Sequence, residues 1–158
     1  MTISLIDTSV FCNILRVPFK SQDSDRIISE VGNKIEKKEI LLLPFATVFE
    51  TGNHIAQNGS GSQKRECALR FIEEIKLAFR GDTPYRPTSF PEMKEVLSWI
   101  DEFPDSAMRG TGMADQSIIK EWEKACKQFK EHRVYIWSLD EHLMGYDKPG
   151  NFIFTNIL

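Results

Sequence analysis

Three short apolar runs constrain this chain more than any other feature: "ISLID" (3–7), "EILLLP" (39–44) and "VYIWSLD" (134–140). Each has strand length, is apolar with β-branched residues in it, and alternates poorly. A strand with one wet face would alternate; a near-continuous apolar run is a strand buried on both faces, as in a parallel sheet covered by helices. "NFIFTNIL" (151–158) offers a fourth candidate. Helical patterns fill the intervals. Ile27, Ile28, Val31 and Ile35 recur opposite Arg26, Glu30, Lys34 and Lys38, giving an amphipathic helix over 24–38. Pro44 suits the first position of a helix "PFATVFETGNHIAQ", where its missing N–H is not needed. The apolar face of that helix reads as Phe45, Val48, Phe49, Gly52, Ile55 and Ala56.

"NGSGS" (58–62) reads as a loop, followed by a helix over 63–80 with Leu69, Phe71, Ile72, Ile75 and Phe79 on its apolar side. The three prolines of "GDTPYRPTSFP" (81–91) argue against regular structure there. A helix is expected over 91–103, a glycine-containing loop over 104–115, a long helix to about 131 and a short one near 141–145. Strands alternating with helices predict an α/β chain, a three-layer α/β/α sandwich with a central parallel sheet. At 158 residues and 41% hydrophobic content, residues 1–158 fit one domain with one substantial core.

The net charge of −3 gives no general attraction to nucleic acid, so a polyanion must be met by a local basic patch or by metal ions. Cys12, Cys67 and Cys126 are odd in number and widely spaced, as expected of small core residues rather than a disulfide or zinc framework. No apolar run has the length of a membrane span, and no basic segment precedes a hydrophobic one at the start; a cytoplasmic protein is expected.

In open parallel sheets, functional groups collect at the carboxyl ends of strands and at the helix starts that follow. Asp7 ends the first run and Asp140 the third; Asp115 opens the late helix after "RGTGMA". Glu50 lies in the helix after the second run, on a stripe with Ala46, Asn53 and Gln57. Each acid has an ordinary account as well. Asp7 and Asp140 suit helix N-caps, Asp115 a helix N-terminal charge, and Glu50 a solvated helix face. One shared site explains all four at once. Four carboxylates without matching bases repel unless cations stand between them. Oxygen-only donors of this kind select Mg²⁺ or Mn²⁺, and such ions activate water and stabilise a leaving oxygen at a phosphodiester.

The ordered set "SLIDTSVF", "LPFATVFETG", "GTGMADQSIIKEW" and "VYIWSLDEHLMGY" resembles the PIN-domain family over nearly the whole chain. The resemblance implies a metal-dependent endoribonuclease. Asp7, Glu50, Asp115 and Asp140 match the family's four acidic positions and Ser138 its hydroxyl position, with Thr8 and Ser9 supporting the ligands from behind. It further implies an RNA substrate and, as in small VapC-like toxins, an antitoxin partner and a homodimer. The alternatives within the family are a nuclease with a role in RNA processing and a partner-binding scaffold without activity. The chain exceeds a typical toxin of this type through 81–112, a segment suited to substrate, to a partner or to covering the core.

Other readings of "DTSVF" fail on the residues. A haloacid-dehalogenase-type phosphatase wants a carboxylate where Ser9 stands, and a von Willebrand A-type metal site wants a hydroxyl where Phe11 stands. Asp105 and Asp147 read as surface charges. Lys64, Arg65, Arg70, Arg80, Arg86 and Arg109 read as solvated rather than as a groove, and Trp122 and Trp137 read as core; Trp99 is left for either core or base stacking. The histidines His54, His132 and His142 are not arranged as a general base.

Overall fold

A computed structural model of the chain describes residues 1–151. The expected strand in 151–158 lies outside the described residues, apart from Asn151. Five strands form one sheet: β1 (Thr2–Ile6), β2 (Ile40–Leu43), β3 (Tyr85–Pro87), β4 (Arg133–Trp137) and β5 (Asp147–Lys148), in the order β3-β2-β1-β4-β5. All neighbouring pairs are parallel except β4 with β5, which is antiparallel. Seven helices accompany the sheet: α1 (Thr8–Ile14), α2 (Ser24–Glu36), α3 (Phe45–Gln57), α4 (Gly61–Arg80), α5 (Met93–Met108), α6 (Met113–Gln128) and α7 (Glu141–Met144). The result is the expected α/β class, a mostly parallel sheet between two helical layers.

The central strand explains the apolar runs. On β1, Ile3 and Leu5 are fully buried against Ala125, Trp122 and Phe129 of the α6 side. Ile6 is buried on the other face with Phe11, Ile27 and Cys67 of the α1, α2 and α4 layer. A strand covered on both faces cannot alternate in polarity, so it reads as a continuous run. Cys12 and Cys67 are buried and Cys126 half-buried, all as free thiols. Among the described residues no helix is long and apolar enough to cross a membrane.

Five expectations need correction. First, "GDTPYRPTSFP" contains β3: Tyr85–Pro87 pairs with Leu41–Leu43 at the sheet's edge. An edge strand needs only one side of its ladder, which is where proline is tolerated. Second, α5 runs through Pro104 to Met108, so the expected loop over 104–115 shrinks to a turn at 109–112. Proline there removes one intrahelical hydrogen bond near the end of the helix and does not terminate it. Third, the buried stripe of α3 is Thr47, Thr51 and Ile55, while Phe49 and Ala56 are exposed. Thr47 turns inward because its Oγ1 donates to the Ile6 carbonyl at 2.8 Å, which locks the helix to the end of β1. Fourth, α4 presents Leu69, Ile72 and Phe79 to solvent and buries Cys67 and Ala78. Fifth, Pro44 serves as N-cap of α3 rather than as its first residue.

Candidate functional site

Parallel pairing brings the carboxyl ends of β1, β2 and β4 to one edge, and the segments that follow them carry the acids. Asp7 follows β1 directly and its N–H donates to the Trp137 carbonyl at 3.0 Å, closing the end of the β1–β4 ladder. Asp140 follows β4, Glu50 sits in the second turn of α3 after β2, and Asp115 stands in the first turn of α6. All four line one cavity of about 270 Å³. The elements that contribute them are far apart in sequence: the sheet order gathers Asp7, Glu50 and Asp140, and the packing of α6 against α3 adds Asp115.

The hydroxyls singled out in the sequence all reach these acids. Ser9 Oγ donates to Asp7 Oδ2 at 2.6 Å and Ser138 Oγ donates to the same oxygen at 2.8 Å. The Ser9 N–H donates to Oδ2 as well, at 3.2 Å, which is the N-cap bond of α1. Thr8 Oγ1 donates to Glu50 Oε2 at 2.7 Å. Asp140 caps α7 by accepting the His142 N–H on Oδ1 at 2.9 Å. Ser9 and Ser138 are themselves held, since the Leu139 N–H donates to Ser9 Oγ and the Asp140 N–H to Ser138 Oγ, both at 2.9 Å.

A pattern follows from these bonds. Asp7, Glu50 and Asp140 each commit one named oxygen to the protein, and among the described residues their other oxygens accept no side-chain bond. The ordinary capping account and the shared-site account therefore hold together: a cap needs a single oxygen. Asp7 is 3% exposed, and its buried Oδ2 is satisfied by three converging donors.

The electrostatics match the geometry. Asp115 is held above the ordinary carboxylate range, first by burial and then by the charges of Glu50, Asp7 and Asp140, against a smaller opposing pull from His142. Burial pushes the Cys12 thiol beneath the site up to about 12, with Asp7 and Glu50 adding to the effect. Cys12 is thus a neutral packing group, not a nucleophile.

The donor set fits a hard divalent cation by chemistry, being oxygen throughout and short of compensating positive charge. Among the described residues no three Asp, Glu, His or Cys side chains are grouped so as to hold a metal ion as they stand.

Several lining residues carry no signal that a sequence reading picks out. Lys20, Gln22 and Asp23 reach the cavity from the loop between α1 and α2, and Asn13 and His54 from α1 and α3. His54 follows Glu50 by one turn, so its place on the same stripe was available; its Nδ1 is buried without a partner among the described residues. The buried Asn13 is i+4 from Ser9, whose carbonyl it binds at 2.8 Å. Of the other acids, Asp147 pairs with Arg133 at 2.6 Å and Asp105 is exposed on α5, both away from the cavity. None of Lys64, Arg65, Arg70, Arg80, Arg86 or Arg109 lines it.

A larger cavity of about 550 Å³ lies on the α5–α6 side, bounded by Leu5, Leu42, Trp99 and Phe129. Two of its lysines are paired, Lys120 with Glu102 at 2.5 Å and Lys124 with Glu95 at 3.0 Å, while the Glu121 carboxylate in the same lining has no hydrogen-bond partner among the described residues. Trp99 lines this cavity, while Trp137 is buried and Trp122 donates its indole N–H to the Val134 carbonyl at 3.0 Å.

No model of a known protein family matches the chain, and no curated protein matches it.

Proposed function

We propose that this chain is a metal-dependent endoribonuclease of the PIN-domain type that cuts RNA phosphodiester bonds. The observation that carries the reading is the set of four carboxylates on one cavity, three of them each tethered by one oxygen with the other uncommitted.

Asp7, Glu50, Asp115 and Asp140 would hold Mg²⁺ or Mn²⁺. When bound, such ions supply a water activated at neutral pH and stabilisation of charge at the phosphate. The chain's own part is positional. Ser9 and Ser138 fix the Asp7 carboxylate at the strand end, Thr8 fixes Glu50 across the α1–α3 contact, and the backbone fixes Asp140. Such supporting bonds keep a ligand oriented and basic. Asp115 is held up first by burial and then by its neighbours' charge, a repulsion that an added cation would relieve.

The test is RNA cleavage with and without Mn²⁺, alongside Asp7→Asn. The expected result is cleavage that requires the ion and is lost in the variant. Cleavage in excess EDTA, or undiminished cleavage by Asp7→Asn, overturns the mechanism. The toxin role, the antitoxin partner, the homodimer and a cytoplasmic site of action belong to the same proposal. Growth arrest on expression, lifted by a protein encoded beside it, supports the toxin role; normal growth with active protein present defeats it.

A further inference from the structure

The loop that delivers Lys20 to the acid cavity has an anomaly at its tip. Val17, Pro18, Phe19 and Lys20 form a tight turn in which the Lys20 N–H donates to the Val17 carbonyl at 3.0 Å. Pro18 takes the second position and Phe19, with φ of +61°, the third. That is the type II pattern, and its third position is the place for glycine because side chains disfavour positive φ. A bulky residue in this conformation is a genuine outlier. Phe19 is also 71% exposed, so no burial of the ring compensates for the strain. Arg16, three residues earlier, is left-handed too, with φ of +53°.

The loop is held firmly in spite of this. Val17 is fully buried and its N–H donates to the Cys12 carbonyl at 2.9 Å. Gln22 Nε2 donates to the Phe19 carbonyl at 2.8 Å, and the Asp23 N–H donates to Asn13 Oδ1 at 2.9 Å. Asn13 belongs to α1, one turn beyond Ser9, so the strained turn is braced to the helix that begins at Asp7. Lys20, Gln22 and Asp23 then line the cavity that holds the four acids. Strain maintained by its surroundings next to a site is grounds for asking what it presents. Here it presents an aromatic ring to solvent and, on the next residue, an ammonium group that lines the cavity of carboxylates, which would repel a phosphate on their own.

We propose that Phe19 and Lys20 form the contact for a single-stranded nucleic acid at the rim of the acid cavity, the ring stacking on a base and the ammonium taking a backbone phosphate. The inference rests on the nuclease reading for its substrate class and deepens it. Ring stacking is tolerant of base identity and supplies affinity without reading sequence.

Binding is measured by fluorescence anisotropy with fluorescein-labelled oligouridylate, oligodeoxyuridylate and an RNA duplex, on the Asp7→Asn background so that no strand is cut. Phe19→Gly relieves the backbone while deleting the ring. The expected outcome is roughly ten-fold weaker binding of both single strands with an unchanged or higher Tm, restored by Phe19→Trp. Lys20→Ala is expected to lower the slope of log K against log salt by about 0.7, one single-strand phosphate contact. Tighter binding of the ribo- than the deoxyoligonucleotide assigns the site to RNA, and equal binding leaves it a general single-strand site; both support the contact. Phe19→Gly that binds as its parent does, or that melts well below it, overturns the proposal, as does equal affinity for the duplex. The two readings fail separately. A chain that binds through Phe19 but never cleaves in Mn²⁺ keeps the contact and loses the nuclease, while cleavage with a KM unmoved by Phe19→Gly keeps the nuclease and loses the contact.

Discussion

Two cavities of this protein differ in what their charges do. On the α5–α6 side, the 550 Å³ cavity has lysines answered by glutamates across the helix pair. At the sheet's edge, the 270 Å³ cavity sets five carboxylates on one space, of which Asp23 is paired with Arg26 at 3.1 Å, and Lys20 and His54 are its basic lining residues. Paired charge is what a helix interface needs in order to stand on its own. Like charge gathered at one point raises the free energy of the fold and is relieved by something added from outside. Volume singles out the first of these cavities, and gathered like charge the second.

The largest effect that could break this comparison is on chemistry. Asp7→Asn should lower Mn²⁺-dependent RNA cleavage by about a hundred-fold or more, while Glu121→Gln in the α5–α6 region should leave the rate unchanged; gel assays of labelled RNA decide it. Next comes Thr8→Val, which deletes the 2.7 Å bond to Glu50 but keeps the shape. Mn²⁺ affinity, read by titration calorimetry, should fall about ten-fold.

Smaller and more diagnostic are two shifts in Tm. Asp115 has its folded pKa raised, so the fold favours its protonated form. Its contribution is then fully present below the unfolded value of about 3.9 and is lost as pH rises through the folded one. In EDTA at pH 7, Asp115→Asn should therefore melt a few degrees above the parent, and the gap should close as pH falls below about 4. Saturating Mn²⁺ should erase or reverse the advantage. Glu121 is also raised, by burial, and its carboxyl oxygens have no partner of normal geometry among the described residues. Glu121→Gln should likewise raise Tm at neutral pH, with the gap closing toward about pH 4. Mn²⁺ should leave that gain untouched. If Mn²⁺ moves both variants alike, the contrast between the two cavities is wrong.

Much of the site was legible because parallel sheets bring strand ends together whatever the loop lengths. Asp7 and Asp140 could be placed by the runs that precede them, and Ser9 and Ser138 by their distance from those acids. The face of α3 was not legible. Hydrophobicity favoured Phe49 over Thr47, but the Thr47 hydroxyl finds the Ile6 carbonyl and the helix turns accordingly. That rotation leaves Glu50 half-buried and close enough to accept from Thr8. Strand β3 escaped because three residues at an edge, one of them Pro87, leave no periodicity to find. Pro104 misled for the opposite reason, since a strong local breaker was overridden by the helix on either side of it. Lys20 and Phe19 had no pattern at all: a turn of "VPFK" shows its strain only in the backbone angle.

Ser138 reaches back to Asp7, and the Asp7 N–H reaches forward to Trp137. These bonds join positions more than a hundred residues apart through the strand at the centre of the sheet. In a growing chain, therefore, Asp7 precedes its last neighbour by the whole span between β1 and β4. Until β4 emerges and pairs, Asp7 lacks the Ser138 donor and Asp140 is absent altogether. The cavity that gathers the four acids therefore exists only once β1 and β4 have paired, and no fragment of the chain that ends before β4 can assemble it.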